Sequence, residues 1–493
     1  MQVCLLAPRW NKMVNSYPPL GLAYLAAFLE REGHQVTVYD LGLEPNGSLE
    51  QDVARVVACA PDLIGLTAMS SNYHSALELA RALKAATPAP IVVGGPHASL
   101  FPAELLKEPC FDYVVYGEGE STICELARAL QAGEGPARGE ALRAILGLCF
   151  REGAEIIQNP PRPLEHDLDS FPFPARHLFA IDRYPLYAPD GGRMVTILSS
   201  RGCPYNCSYC FKGIMGRGYR QRSVDNILAE IRQVVAAYQA NHLYFIDDLF
   251  TINKRRLLEF TQRVMAEGLD IRWQCLGRVD RIDAETLKAM YQAGCREIHY
   301  GIEAGTQAML DAIGKQITLE QVRDAVRWTR EAGIMVKGYF MLGLPGDTEA
   351  TMEQTIRFAT ELDLDEAMFS LTTPFPGTRL WDELCQRHPG TQYNADFSRA
   401  YYYNSYTEEI EPFMNLSQVS DKRLAQLIRE AHARFWESKR KHKYMRVLGP
   451  KAGALVWRLS KNSLVRALGR WAINTGLLGR GRALRQEGAD SWF

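Results

Sequence analysis

Short apolar runs alternate with amphipathic stretches along the first 135 residues of the chain. The apolar runs predict five strands, at 3–7, 35–39, 63–67, 91–93 and 113–116. Between them, apolar residues at three- and four-residue intervals predict helices at 20–32, 53–58 and 75–85. This alternation is typical of a doubly wound, Rossmann-like α/β sheet. Ligands of such sheets bind beyond the carboxyl ends of the strands, where the turns 16–21, 68–73, 94–99 and 117–120 are expected to gather.

A second alternating region covers residues 193–385. Apolar runs predict six strands, at 195–199, 243–247, 272–276, 297–301, 336–342 and 368–371, with helices between them. Six such units build a partial (β/α)6 barrel of the TIM type, whose chemistry lies at the carboxyl ends of its strands. Residues 136–192 are rich in proline and lack a period, so they are predicted to form a connecting segment. Residues 386–493 are predicted to form a helical, basic C-terminal region.

Composition narrows the class of protein. The 493 residues need more than one domain, and 47% hydrophobic with 23% charged residues is typical of a soluble enzyme. Lys and Arg total 56 against 57 for Asp and Glu, so no nucleic-acid partner is expected. No signal peptide or run of about 18 apolar residues is found, which predicts a cytoplasmic protein. Thiols stay reduced there, so metal ligation and burial explain the eleven cysteines better than disulfides do.

Three cysteines stand together just after the first predicted barrel strand: Cys203, Cys207 and Cys210. Three thiolates at this spacing suit one face of a cubane cluster and leave the fourth iron without a protein ligand, whereas electron-transfer clusters take four. A structural zinc site, which would need a fourth ligand nearby, and coincidental core thiols are the alternatives. The remaining cysteines are predicted to be buried as small hydrophobes: Cys4, Cys59, Cys110, Cys124, Cys149, Cys275, Cys295 and Cys385.

The Cys-x3-Cys-x2-Cys pattern resembles the radical S-adenosylmethionine superfamily, and further matches follow at successive strand ends in 245–251, 278–280, 300–305, 338–346 and 374–378. The resemblance implies a 4Fe-4S cluster that cleaves S-adenosylmethionine reductively, giving a 5′-deoxyadenosyl radical. It implies the cluster ligands Cys203, Cys207 and Cys210, and as residues that bind S-adenosylmethionine Tyr209, Glu303, Gly338, Gly343 and Gly346. Two of the matches have a purely structural alternative: Asp247 and Asp248 could cap a helix, and Arg278 could pair with Asp280 or Glu303.

The first domain resembles the cobalamin-binding domain of the cobalamin-dependent subgroup, through the segments 18–27, 33–40, 92–99 and 116–120. This implies cobalamin as a cofactor, with the candidate binding residues Pro19, Gly21, Ser70, Gly94, Gly95, His97, Gly117 and Glu118. The Asp-x-His-x-x-Gly signature is missing, so the lower cobalt ligand is unassigned. His97 is a candidate for it, and a hydrogen-bonding turn histidine is the alternative. For the whole domain, the alternative is a cofactor-free fold that caps the barrel.

Basic and apolar residues are interleaved over residues 439–485. This pattern is typical of an amphipathic helix at an anionic membrane surface, and a basic helix packed on the barrel explains it equally well. Peripheral contact at the inner face of the membrane would favour a lipid or tetrapyrrole substrate.

The domain order is similar to that of the hopanoid methylases and the anaerobic magnesium-protoporphyrin ester cyclases. It implies C-methylation of a small apolar molecule or, alternatively, oxidative cyclisation of a tetrapyrrole, with an external electron donor such as flavodoxin or ferredoxin. A methylthiotransferase would bring three more clustered cysteines in its first domain, which are not found. A non-catalytic iron–sulfur or cobalamin sensor is an alternative of another class, and it predicts no turnover of S-adenosylmethionine.

Overall fold

Two β-sheets organise the part of the chain that the computed structural model describes, namely residues 1–9, 16–133, 135–188, 190–387, 397 and 410–460. The first sheet contains β1 (Gln2–Ala7), β2 (Gln35–Asp40), β3 (Leu63–Thr67), β4 (Ile91–Gly94), β5 (Tyr113–Val115), β6 (Leu148–Glu152) and β7 (Glu155–Gln158). Its helices are α1 (Leu20–Arg31), α2 (Leu49–Ala58), α3 (Tyr73–Ala86), α4 (Pro96–Leu100), α5 (Pro102–Leu105), α6 (Glu120–Gln131) and α7 (Pro136–Ala144).

The strands of the first sheet lie in the order β2-β1-β3-β4-β5-β6-β7. Strands β1 to β5 are parallel, which confirms the predicted doubly wound fold. The order reverses between β1 and β3, and such a switch point opens a ligand-binding crevice at the carboxyl ends of the strands. Strands β6 and β7 form an antiparallel hairpin that extends the sheet. The sequence pattern did not predict this hairpin, which lies within 136–192.

Strand β1 shows why the strands of this sheet appear in the sequence as continuous apolar runs. Val3 and Leu5 pack in one hydrophobic core together with residues of α1 and α6. Cys4 and Leu6 pack in a second core, together with residues of α3. Because helices cover both faces, successive side chains of the strand are all buried.

The second sheet contains β8 (Met194–Ile197), β11 (His242–Phe245), β12 (Arg272–Gly277), β13 (Cys295–Glu303), β14 (Met335–Leu342) and β15 (Glu366–Leu371), next to the short pair β9 (Ser200–Arg201) and β10 (Arg220–Gln221). The accompanying helices are α8 (Val224–Tyr238), α9 (Lys254–Ala266), α10 (Ala284–Gln292), α11 (Gln307–Ala312), α12 (Leu319–Glu331), α13 (Glu349–Glu361), α14 (Arg379–Arg387), α15 (Asp421–Leu448) and α16 (Pro450–Leu459). Short 3-10 turns lie at Leu41–Leu43, Ser70–Asn72, Leu168–Ser170, Arg176–Leu178, Ile181–Arg183, Phe250–Ile252 and Val279–Arg281.

The six larger strands of this second sheet are parallel, in the order β15-β14-β13-β12-β11-β8. This confirms the predicted partial barrel. Along β13, Ile298 and Tyr300 are buried in the core shared with the helices. The side chain of His299, which lies between them in sequence, points to the opposite face and into the barrel lumen, since successive side chains of a strand alternate.

The segment between the two sheets contacts both of them. Phe171 meets Phe28 of α1 edge to face, with 4.9 Å between ring centres. Five residues later, Arg176 donates to the carbonyl oxygen of Thr196 in β8 over 2.7 Å and pairs with the fully buried Glu230 of α8. The segment therefore fixes the first sheet to the barrel through aromatic and ionic contacts.

Helix α15 packs against the outer side of the barrel. Leu427, Ile428 and Phe435 are buried in the barrel core, and Arg434 pairs with Glu353 of α13 over 2.7 Å. This part of the C-terminal region is thus a helix packed on the barrel. Of the basic tail predicted over 439–485, residues 461–485 lie outside the described part of the chain. Among the helices that the structure describes, none is long and apolar enough to cross a membrane.

Candidate functional site

The cysteine loop, residues 202–219, connects β9 to β10 at the carboxyl end of the barrel. Cys203 and Cys207 are half-buried and Cys210 is more exposed. Desolvation within the loop raises the pKa of the Cys210 thiol to about 11, and Cys207 adds to this rise while Lys212 opposes it. The thiols therefore lie close enough to influence one another. Lys212 also donates to the carbonyl oxygen of Cys203 over 3.1 Å, which ties the two ends of the motif together.

Two carboxylates at the end of β11 hold the start of the cysteine loop. Asp247 is fully buried and accepts hydrogen bonds from the Ser199 N–H (2.6 Å) and the Ser200 hydroxyl (2.7 Å). Asp248 accepts from the backbone N–H of Gly202, and burial raises the pKa of its carboxyl above the ordinary value. Both carboxylates thus orient the strand that leads into the motif, and neither caps a helix.

Three thiols without a fourth nearby suit a cluster with one open iron. Within the described residues, no set of three or more His, Cys, Asp or Glu side chains, the three loop cysteines included, is already arranged to hold a metal ion. The other cysteines contribute no ligand to the loop: six are buried in the cores, as predicted, whereas Cys59 and Cys385 are half-buried.

Glu303 ends β13 in a buried polar cluster. Its backbone φ is +70°, which is uncommon for a residue other than glycine. The Glu303 carboxylate accepts hydrogen bonds from Lys315 Nζ (2.8 Å) and the Tyr209 hydroxyl (2.9 Å). Burial, followed by the charge of Glu303, raises the pKa of Tyr209 well above its ordinary value. The structure therefore brings two of the predicted residues together, and it adds Lys315, which no pattern in the sequence singled out.

The predicted glycines of β14 serve different purposes. A Cβ at Gly338 would meet Leu364, Phe340 and Ile302 on the helix-covered face of the sheet, so this glycine permits close packing. Gly343 and Gly346 have φ of +86° and +83° and form the turn after the strand. Another glycine faces the lumen: a Cβ at Gly301 would collide with the carboxylate of Glu303 and the amine of Lys315.

Arg278 at the end of β12 pairs with Asp280 over 2.6 Å, one of the two partners expected from the sequence. Its guanidinium also lies 3.6 Å from the ring centre of Tyr205 in the cysteine loop. It donates to the carbonyl oxygen of Gln316 over 3.0 Å. Arg278 therefore holds the cysteine loop against the chain that carries Lys315.

The candidate cobalamin residues lie at the carboxyl edge of the first sheet. Pro19 precedes α1, and no atom of the described residues lies within 4 Å of a Cβ placed at Gly21 or Gly117. The N–H of Gly117 donates to the Ser99 hydroxyl (3.0 Å), which donates to the carbonyl oxygen of Gly95 (2.9 Å). The turns after β4 and β5, at Gly94–Gly95 and Gly117–Glu118, are thus joined by hydrogen bonds.

His97, in the short helix α4 after β4, is completely buried. Its ring stacks on Tyr73 with 4.2 Å between ring centres and packs against Phe101. Nδ1 lies 3.1 Å from the Ser70 hydroxyl, and Nε2 is enclosed without a hydrogen-bond partner among the residues that the structure describes. Burial lowers the pKa of His97 to about 4, with a smaller contribution from His74. The surroundings are those of a neutral, packed histidine.

Glu118 reaches away from the first sheet into the barrel. Its carboxylate accepts hydrogen bonds from Arg201 of β9 and Arg220 of β10, each at 2.8 Å. Burial alone would raise the pKa of Glu118, but these two guanidinium groups outweigh it and hold the pKa below its ordinary value. Both carboxylate oxygens are engaged by the barrel, so Glu118 joins the two domains.

Comparison with known proteins matches both domains. The family model of the B12 binding domain matches residues 10–127, and that of the radical SAM superfamily matches residues 197–359. An uncharacterized methyltransferase of Pyrococcus horikoshii is 36% identical over 423 residues, which are 85% of this chain and 88% of that protein. The anaerobic magnesium-protoporphyrin IX monomethyl ester cyclase of Cereibacter sphaeroides is 30% identical over 394 residues, 78% of this chain and 64% of the cyclase.

Among solved structures, the fold is similar to that of the radical S-adenosylmethionine methyltransferase TsrM from Kitasatospora setae with cobalamin and a [4Fe-4S] cluster bound. The TM-score is 0.65 and the sequence identity 24%, and the similar region covers 79% of this chain and 76% of TsrM. This likeness concerns the fold of the two domains and their order along the chain.

Proposed function

Because the chain belongs to the radical S-adenosylmethionine enzymes that carry an N-terminal cobalamin-binding domain, we propose that it methylates an unreactive carbon of a small, largely apolar molecule. The enzyme uses a 4Fe-4S cluster, S-adenosylmethionine and cobalamin. The match to a methyltransferase over 88% of its length supports methylation as the reaction type. Membership of an enzyme family decides against the non-catalytic sensor.

One observation carries this proposal: the carboxyl edge of the first sheet lies against the start of the cysteine loop. Glu118 follows β5 and binds Arg201, which precedes Cys203 by two residues. The edge expected to bind cobalamin and the loop expected to hold the cluster therefore meet at one interface. A substrate between them would be within reach of both domains.

The residues of this chain bind and orient the cofactors and the substrate. The cofactors, when bound, supply a hydrogen-abstracting radical and a transferable methyl group. Cys203, Cys207 and Cys210 would hold three irons of the cluster and leave the fourth open to S-adenosylmethionine. Glu303 and Lys315 present a hydrogen-bond acceptor and a donor of opposite charge 2.8 Å apart. This pair suits the ammonium and carboxylate groups of an amino acid, which S-adenosylmethionine carries.

The barrel lumen would receive the substrate. The Tyr339 hydroxyl lies 3.1 Å from His299 Nδ1, and His299 Nε2 lies 2.8 Å from Glu297. Since the carboxylate requires a proton on Nε2, we assign Nδ1 as the acceptor of the Tyr339 hydrogen bond. Tyr17 of the first domain meets Tyr244 edge to face, with 6.4 Å between ring centres. Aromatic walls with a few polar groups support a small apolar substrate with at least one polar substituent.

Oxidative cyclisation of a tetrapyrrole is the second candidate, favoured by the 30% identity to the anaerobic cyclase. The match spans 64% of that cyclase. Methylation produces S-adenosylhomocysteine as a co-product, whereas cyclisation does not. This difference separates the two candidates experimentally.

An external electron donor, flavodoxin or ferredoxin, and peripheral membrane contact complete the proposal. Leu455 and Leu459 of α16 are more than half exposed, and they lie among the basic residues of the tail. Deletion of 446–493 should weaken sedimentation with anionic vesicles, and equal sedimentation of both proteins would contradict membrane contact.

The proposal is tested by anaerobic reconstitution with iron, sulfide and hydroxocobalamin, followed by S-adenosylmethionine and a reductant. We expect bound corrinoid, about four irons per chain, and formation of 5′-deoxyadenosine. Methylcobalamin and S-adenosylhomocysteine should form even without substrate. Their absence, with cleavage of S-adenosylmethionine intact, would reject methylation and favour the cyclase.

A variant pair tests the ligand assignment. Cys207→Ala should abolish formation of 5′-deoxyadenosine, because the cluster loses one thiolate. Cys59→Ala is the matched control, since Cys59 is also half-buried but lies in the first domain, and it should retain activity. Activity in Cys207→Ala would refute the assignment.

A further inference from the structure

Four charged side chains form a buried cluster between the two domains, which we call the loop clamp: Glu118, Glu120, Arg201 and Arg220. Arg220 donates to both carboxylate oxygens of Glu118 at 2.8 Å. Arg201 bridges the carboxylates, with 2.8 Å to Glu118 and 2.6 Å to Glu120. The exposed fraction of these side chains is at most 10%, so these contacts are shielded from solvent.

The loop clamp holds both ends of the cysteine loop. Arg201 lies in β9 and Arg220 lies opposite it in β10, where the two strands pair antiparallel. The one carboxylate of Glu118 thus binds the residue before the loop and the residue after it. Gly202 has φ +82°, and a Cβ there would collide with the carbonyl oxygen of Gly218. The base of the loop is therefore closely packed as well as ion-paired.

On its other side, the loop clamp is joined to the edge of the first sheet. Glu118 follows Gly117, whose N–H is bound by Ser99, which in turn binds Gly95. These contacts run from the turn after β4, at the carboxyl edge of the first sheet, to the start of the cysteine loop. A ligand that contacts this edge would touch residues that are linked to the loop clamp through one or two hydrogen bonds.

Stability alone does not account for the loop clamp, because desolvation of buried ion pairs commonly offsets their attraction. We propose that Glu118 and Glu120 are positioning residues through which the cobalamin-binding domain sets the geometry and reduction potential of the cluster in the cysteine loop. The charge balance gives the direction of the effect. Loss of a carboxylate leaves a guanidinium uncompensated near the cluster, and added positive charge favours the reduced cluster. This inference rests on the proposed assignment of the cluster to Cys203, Cys207 and Cys210.

The test compares wild type with Glu118→Gln, Glu118→Asp and Glu120→Gln after anaerobic reconstitution. The midpoint potential of the cluster is followed by electron paramagnetic resonance, with and without hydroxocobalamin, and formation of 5′-deoxyadenosine is measured. We expect Glu118→Gln to shift the potential in the positive direction and to lose the response to hydroxocobalamin. Its cleavage rate should fall about tenfold, in the upper range for residues that couple two sites. Glu120→Gln should shift the potential less, since within the loop clamp Glu120 pairs with Arg201 and Glu118 pairs with both arginines. Glu118→Asp should restore the potential.

Glu230→Gln is the matched control. Glu230 is fully buried and also pairs with two arginines, Arg176 and Arg222, but neither lies in the loop clamp. This control should lower thermal stability while the cluster keeps the wild-type potential. A folded Glu118→Gln protein with wild-type potential and an unchanged response to hydroxocobalamin would overturn the inference. A wild-type protein that assembles no cluster would instead refute the proposed function.

Discussion

At the scale of single residues, Glu303 shows what holds the polar end of the barrel lumen together. Its left-handed backbone costs about 1 kcal/mol or more, and the surrounding hydrogen bonds must outweigh this cost. Lys315 and Tyr209 provide them from two other loops. The carboxylate is thereby fixed in a water-poor site where its charge acts strongly on a ligand.

Lys315→Met removes the cation that pairs with Glu303. We expect the affinity for S-adenosylmethionine to fall roughly tenfold, as for the loss of one charge-assisted hydrogen bond. Because the buried carboxylate is left unpaired, the free energy of unfolding should also fall by about 3 kcal/mol. Calorimetric titration and urea unfolding measure the two effects. Lys254→Met, which breaks an exposed pair with Asp283, is the control and should change neither.

His97 predicts a pH dependence of stability. Its pKa of about 4 in the folded protein lies below the value of about 6.5 in an unfolded chain, so unfolding takes up a proton between these values. The stabilising contribution is complete above pH 6.5 and is lost as the pH falls toward 4. Between pH 7 and pH 5 the free energy of unfolding should drop by about 2 kcal/mol.

His97→Leu should flatten this dependence, as measured by urea unfolding at each pH. His166→Leu, at an exposed position, should leave the slope unchanged. Equal slopes in wild type and His97→Leu would contradict the buried neutral state.

At the same scale, the sequence predicted some of these residues and missed others for identifiable reasons. The cysteines and Glu303 belong to local patterns with fixed spacing, so they could be recognised in the chain. Lys315 lies twelve positions after Glu303, and only the turn after α11 returns it to the carboxylate. The surroundings of His97 and Glu118 depend on contacts with distant elements, which local spacing does not encode.

At the scale of elements, strands buried on both faces were predictable and short paired strands were not. The hydrophobic residues of β1 form a continuous run in the sequence, and those of β13 alternate with other residues. The hairpin β6–β7 lies in a proline-rich segment and joins the edge of the sheet. A strand there forms by pairing with its neighbour, here β5, and does not need a distinct hydrophobic pattern of its own. Strands β9 and β10 have two residues each, which is too short for a recognisable sequence pattern. The ion pairs of the loop clamp hold them in place.

A glycine pair tests how closely the cysteine loop is packed. Gly202→Ala places a Cβ against the carbonyl oxygen of Gly218 at φ +82°, so we expect incomplete loop closure and a large loss of iron after reconstitution. Gly218→Ala meets no atom of the described part of the chain within 4 Å and is not at positive φ, so it should bind iron as wild type does. Iron and sulfide content per chain measure the outcome, and equal content in both variants would contradict the close packing.

At the scale of the whole molecule, the barrel is completed by a helix far along the chain. Phe435 of α15 is 1% exposed and lies in the barrel core, whereas its neighbour Trp436 is 48% exposed. Phe435→Ala should therefore reduce the free energy of unfolding by about 3 kcal/mol. Trp436→Ala should cost less than about 1 kcal/mol. Urea unfolding distinguishes the two, and equal losses would place α15 outside the cooperative unit of the barrel.

The loop clamp also restricts how such a chain can be recombined. Its two acidic residues are encoded in one domain and its two basic residues in the other, so a crossover between the domains separates the partners. A chimera that receives a foreign first domain would bury two guanidinium groups without counter-charges unless the donor carries acidic residues at the same turn. The two halves of this enzyme are therefore expected to be inherited together, and the junction between them is a poor place to exchange parts.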